Sequence, residues 1–149
     1  MPERETLERA REDAREGKSP STQAGEFIRE EIHHVREGKH GARSPKQAIA
    51  IGLSKVRRAG NKLSSSKRAS AAIRKKAKQD TEAGKRARGT QRKPSATRSR
   101  AIEGALKREP RGTASQEALS RQARRSAAQR GKASRQQAGR KAARTRKAA

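Results

Sequence analysis

Apolar residues recur at helical spacing in two stretches of the first half of the chain. Ala24, Phe27, Ile28, Ile32 and Val35 fall three or four residues apart, which predicts a helix entered near Ser19–Thr22 and stopped by Gly38. Ile49, Leu53 and Val56 form a second stripe, with Ala48 and Gly52 beside it. Ser44-Pro45 opens this helix with a hydroxyl cap followed by proline in the first turn. Gly60 closes it after Lys55, Arg57 and Arg58, cations placed favourably at a helix C-terminus. A weaker helix over residues 3–16 has Leu7, Ala10 and Ala14 on one face and ends at Gly17. That face is thin, so the pattern predicts a marginal, solvated element.

The two strong stripes should pack as a hairpin over residues 22–60, with Phe27, Ile28, Ile32, Val35, Ile49, Leu53 and Val56 as its core. About 40 residues is the lower limit for independent folding. The hairpin therefore needs the first helix, a second copy or a partner. Arg15-Glu16-Gly17-Lys18 echoes in Arg36-Glu37-Gly38-Lys39, and each copy leads to Ser-Pro and Gln-Ala. Two copies do not make a solenoid; duplication and a coincidence of good capping chemistry both account for them.

After Leu63 the pattern dissolves. The only large aliphatics there are Ile73, Ile102, Leu106 and Leu119. Asn61-Lys62-Leu63-Ser64-Ser65-Ser66 reads as a linker, dividing a helical module (1–60) from a tail (61–149) rich in Arg, Lys, Ala, Ser and Gln. Gly or Pro punctuates the tail at Gly84, Gly89, Pro94, Gly104, Pro110, Gly112, Gly131 and Gly139. Segments 66–83, 95–108 and 113–130 have helix propensity. Short isolated helices are marginal in water, and like charges weaken them further. The fold class read from the sequence is mainly α: a hairpin or three-helix module, then a disordered or nascent-helical basic tail.

Composition supports that division. Hydrophobic residues make up 28% of the chain, with one Phe and no Tyr or Trp. That is little apolar area to offset ordering entropy. The 41 Lys+Arg against 15 Asp+Glu give a formal charge of +26. Residues 1–60 carry 13 Lys/Arg and 10 Asp/Glu, whereas residues 61–149 carry 28 and 5. Such a tail calls for a polyanion, whose condensed ions are released on binding. The residues assigned to nucleic acid are Lys55, Arg57, Arg58, Lys62, Lys67, Arg68, Arg74, Lys75, Lys76 and Lys78, then Lys85, Arg86, Arg88, Arg92, Lys93, Arg98 and Arg100. Arg121, Arg124, Arg125, Arg140, Lys141, Arg144, Arg146 and Lys147 complete the set. Their spacing suits phosphate neutralisation, not base readout from a fixed scaffold. The lack of aromatics argues against stacking platforms for single strands. Arg outnumbers Lys, 26 to 15, which mildly favours close contact with DNA or structured RNA; high-GC coding gives the same bias.

Other chemistry finds little footing. With no Cys there is no disulfide and no thiolate metal site. His33, His34 and His40 invite a metal reading, but His33 and His34 point about 100° apart on a helix, and Gly38 should break the helix before His40. No spacing yields three convergent ligands, so these read as a solvent-facing helix end, with no metal and no cofactor. Gly17-Lys18-Ser19 resembles the end of a phosphate loop, but position 12 is Glu and no strand precedes it. Lys75-Lys76-Ala77-Lys78 matches a loose nuclear-import pattern that any chain this basic meets by chance. Nothing supports catalysis. No signal-peptide stretch or membrane span is evident, so a cytoplasmic, nucleoid location is expected, without a membrane partner.

Residues 25–60 resemble a family of small basic bacterial proteins of unknown function. The resemblance rests on Gly38-Lys39-His40-Gly41, then Ser44-x-Lys46-Gln47-Ala48-Ile49-Ala50-Ile51-Gly52-Leu53-Ser54, and Arg57-Arg58-Ala59-Gly60. It covers about a quarter of the chain and implies a bacterial origin but no activity. The tail is similar in composition to linker-histone-like bacterial proteins. The leading expectation is non-specific DNA binding and compaction in a histone-like, nucleoid-associated role, with DNA favoured over RNA. The alternatives are an RNA- or ribosome-associated basic protein, or an adaptor whose 22–60 hairpin self-associates or meets a protein partner while the tail localises it.

Overall fold

The computed structural model describes residues 2–66, 69–87 and 95–148. Among them are seven α-helices: α1 (Arg4–Arg15), α2 (Pro20–Glu37), α3 (Pro45–Arg58), α4 (Ala71–Ala87), α5 (Ala96–Lys107), α6 (Gln116–Gln129) and α7 (Gly131–Ala148). A 3-10 turn spans Gly112–Ala114. The chain divides into two compact units, Met1–Ala114 and Ser115–Ala149.

Capping chemistry sets the ends of the first helices. Ser19 and Ser44 are N-caps with extended backbones; their Oγ atoms accept from Thr22 N at 3.4 Å and Gln47 N at 3.3 Å, and each is followed by proline. Gly17, Gly38 and Gly60 all have positive φ, at 71°, 76° and 92°. In each turn the glycine N–H and the next N–H return to carbonyls of the last helical turn, as in Gly38 N to Val35 O (3.2 Å) and Lys39 N to His34 O (3.0 Å). The glycine satisfies the orphan carbonyls in a conformation that side chains with a Cβ resist. The repeated Glu-Gly-Lys…Ser-Pro wording is thus one helix-stop, helix-start device used twice.

Two small cores hold the first unit. Ala10, Ala24, Phe27 and Val56 join α1, α2 and α3, with Leu7, Leu53, Ala59 and Leu63 packed around them. Val35, Ala42, Ala48 and Ala114 form the other, with Ile32 at its edge. Of the expected core, Phe27, Val35 and Val56 are fully buried, whereas Ile28, Ile32, Ile49 and Leu53 are half-buried. Small residues fill the interior: Gly52 lies so near the α2 backbone at Ile28 that an added Cβ would sit 3.0 Å from its Cα.

Two expectations are corrected. Helix α1 is not a solvated outlier: it packs on α2 and buries Thr6 and Ala10. The tail is not disordered or nascent-helical where described, since α4 to α7 are continuous helices that run through Gly84, Gly104 and Gly139. The composition boundary at 61–66 is a stretch without regular structure, but packing continues beyond it. Helix α4 lies on α3 through Ala77, Asp80 and Gly84, where an added Cβ would meet the carbonyl oxygens of Arg57 and Arg58.

Residues 106–114 then return to the turn between α2 and α3. Gly41 N donates to Leu106 O at 2.8 Å and Ala42 N to Pro110 O at 3.2 Å. Thr113 Oγ1 donates to Ala42 O at 2.8 Å, and Arg36 Nε to Ala114 O at 2.8 Å. A Cβ on Gly41 would collide with the Glu109 carbonyl. This latch satisfies the backbone of a loop that would otherwise leave polar groups unpaired against a buried alanine.

Candidate nucleic-acid interface

The basic residues fall into three physical classes. The first faces inward. Lys55 Nζ lies 2.9 Å from Glu30 Oε1 and 2.8 Å from Glu31 Oε2, and both glutamates are buried. Burial alone would lower the Lys55 pKa, but pairing with the Glu31 and Glu30 carboxylates raises it, so the ammonium stays charged. Burial likewise would raise Glu30, yet bonds from Lys55, Thr6 and the Glu3 backbone bring it below its ordinary value. Arg57 is 9% exposed and donates to Leu63 O at 3.3 Å, which ties the post-helix segment to α3. Lys55 and Arg57, read from the sequence as phosphate contacts, bond groups inside the fold: Lys55 the two glutamates and Arg57 the Leu63 carbonyl.

The second class pins α4 to α3. Asp80 is buried and accepts from Ser54 Oγ (2.9 Å), Arg58 Nε (3.1 Å) and Lys76 Nζ (2.6 Å). Desolvation would raise its pKa, but the bonds from Lys76, Ser54 and Arg58 win and lower it. Arg58 and Lys76 keep more than half of their side-chain surface in solvent, so each bonds Asp80 while presenting charge outward.

The third class is exposed. Lys62, Arg74, Lys75, Lys78, Lys85 and Arg86 face solvent around α4, as do Arg98 and Arg100 on α5. In the second unit Arg121, Arg124 and Arg125 stand exposed on α6, and Arg140, Lys141, Arg144, Arg146 and Lys147 on α7. Residues 115–149 carry 11 Lys/Arg and a single acidic residue, Glu117. Arg130, Lys132 and Arg135, absent from the set assigned by sequence, continue the same exposed array. Composition contains the signal for them, but as isolated cations they fall between the clusters. Lys67, Arg68, Arg88, Arg92 and Lys93 lie outside the described residues.

Helices α6 and α7 bury no apolar side chain among their described residues; Leu119 is half-buried. Ser115 Oγ caps α6 by accepting from Ala118 N at 3.2 Å, and Gly131, at φ 74°, separates the two helices. Capping and alanine content account for these helices, and their surface is a cationic sleeve. No described helix is long and apolar enough to cross a membrane.

A model of a family of unknown function (DUF6496) matches residues 17–68. The match covers α2, α3 and the helix-stop, helix-start turns, and it includes the wording on which the resemblance rested. It does not reach α4, the latch or the second unit. No curated protein and no solved structure matches the chain.

Proposed function

We propose that the protein binds DNA without sequence preference, through phosphate neutralisation by the exposed cations of α4–α7, as a histone-like component of the nucleoid. The observation that carries this reading is the array over 115–149, where 11 cations share one carboxylate and face solvent from two helices. Internal ion pairs cannot balance that charge; a polyphosphate can, and it gains counterion entropy on doing so. The excess of Arg over Lys suits close phosphate contact, because guanidinium forks pair with phosphate and, on DNA, enter narrow minor grooves. The first unit, nearly balanced in charge through residue 60, positions the cationic helices or meets a second copy or protein partner.

The test is binding of a mixed-sequence duplex by fluorescence anisotropy across salt. Engagement of six to ten phosphates predicts an affinity loss of about 10³–10⁵ between 50 and 200 mM salt. Truncation after Ala114, where the first unit ends, should flatten that slope while leaving the first unit folded. Equal affinity at both salt concentrations overturns the reading. Co-purification that survives DNase but not RNase would move the target to RNA.

A further inference from the structure

The turn at Gly38 brings together three side chains that the sequence sets apart. Glu31 and His34 lie one turn apart on α2, and the left-handed glycine folds the chain back so that His40 returns to the same face. One ligand atom from each of Glu31, His34 and His40 lies within 4.8 Å of the others. This corrects the sequence reading that the histidines cannot converge with a third ligand. Glu31 is fully buried, and the His34 and His40 side chains are 12% and 16% exposed.

The hydrogen-bonding roles around this cluster set two acceptors face to face. His40 Nδ1 lies 3.0 Å from Gly41 O, an acceptor, so Nδ1 carries the proton. In a neutral ring Nε2 then presents a lone pair, and it faces Glu31 Oε1 at 3.1 Å. Two acceptors oppose each other unless a positive species mediates. Lys55 Nζ sits 2.8 Å from the other oxygen, Oε2, and also pairs with Glu30. One ammonium therefore serves two buried carboxylates. Neither Glu31 oxygen has a well-aligned hydrogen bond. The outer contacts match those that orient metal-bound imidazoles: a backbone carbonyl on His40 Nδ1, and Glu3 Oε1 2.9 Å from His34 Nε2.

We propose that Glu31, His34 and His40 form a binding site for a divalent transition metal of the zinc class, with Glu31 Oε1 and His40 Nε2 as two of its donors. Two imidazoles and one carboxylate are a common three-ligand set for this ion, with a fourth position open to water. Bonds of about 2.0–2.2 Å place tetrahedral donors about 3.3–3.6 Å apart, so the three must draw together, a shift within reach of side-chain torsions. The ion would clamp the 38–41 turn to α2 and supply the charge that Lys55 alone does not. This site is independent of the DNA-binding reading.

The experiment uses the untagged, full-length, metal-free protein. Zn²⁺ is titrated in competition with a chromophoric chelator, and Co²⁺ is titrated for its visible absorption. One saturable equivalent per chain is expected, and His33→Ala should bind equally because His33 is exposed and turned toward Glu37. His40→Ala and Glu31→Gln should each weaken binding by more than about 10-fold, the lower end of what losing even a supporting hydrogen bond costs. Should Glu31→Gln fail to fold by circular dichroism, His40→Ala and the histidine resonances carry the test: Zn²⁺ should shift His34 and His40 and leave His33 in place. Absence of a saturable equivalent at micromolar metal, or wild-type affinity in His40→Ala, overturns the site and leaves a proton as the mediating cation.

Discussion

Helix α2 and helix α7 are both 18 residues long, yet they exist for different reasons. Helix α2 is fixed by what it buries: Ala24, Phe27 and Val35 in two apolar clusters, and Glu30 and Glu31 against Lys55. Helix α7 buries nothing described and carries seven Lys/Arg with no acidic residue. Its support is intrinsic propensity, opposed by its own charge. The same secondary structure is thus packing-determined in one unit and solvent-determined in the other. The second kind should respond to ionic conditions and polyanions, and the first should not.

The sharpest way to break the comparison is to empty the core. Phe27→Ala should cost about 3–5 kcal/mol, enough to unfold a small unit. Thermal melts followed by circular dichroism would show loss of the first unit. Duplex binding by the 115–149 array should persist, and its disappearance would show that the two units are not energetically separate.

Nearly as large an effect is expected from Lys55→Met, which leaves Glu30 and Glu31 buried without their cation. Breaking a buried pair from one side costs about 3–5 kcal/mol. Denaturant unfolding of this variant should show a lowered midpoint. A stability equal to that of the wild type would mean the carboxylates remain hydrated in the folded protein.

Smaller still is the pH response of the α3–α4 junction. Asp80 has a pKa below its ordinary value in the folded state. Its contribution is therefore complete above the unfolded value, near 3.9, and is lost as pH falls through the lower folded value. Asp80→Asn should remove this acid-side loss and cost about 1–3 kcal/mol near neutrality. Amide exchange in α4, compared between about pH 4 and pH 3, reads the effect; an unchanged acid profile in the variant would sink it.

The mildest change concerns α7. Gly139 lies within the helix in open space, so an added Cβ meets no neighbour. Gly139→Ala should raise helicity by about 1 kcal/mol of propensity. The gain should be visible by circular dichroism at low salt without DNA, and smaller once DNA is bound.

Much of the local structure was written in the sequence. Ser19-Pro20 and Ser44-Pro45 announce their helices, and Gly17, Gly38 and Gly60 end theirs, because capping and left-handed backbone are local chemistry. The apolar stripes named Phe27, Val35 and Val56 as core for the same reason: helical period alone fixes which face turns inward. The charge gradient along the chain needed no fold at all.

What depended on tertiary structure was the destination of polar and small residues. Nothing in the spacing of Lys55 or Arg57 separates a solvated cation from one buried beside Glu31 or bonded to Leu63 O. Gly41 reads as a loop residue until the Glu109 backbone arrives from far along the chain to occupy the space a side chain would need. Glu31, His34 and His40 meet only because a left-handed turn reverses the chain, and periodicity stops at a glycine. Local preferences act over one helical turn, whereas burial and convergence depend on which segments come back to meet it.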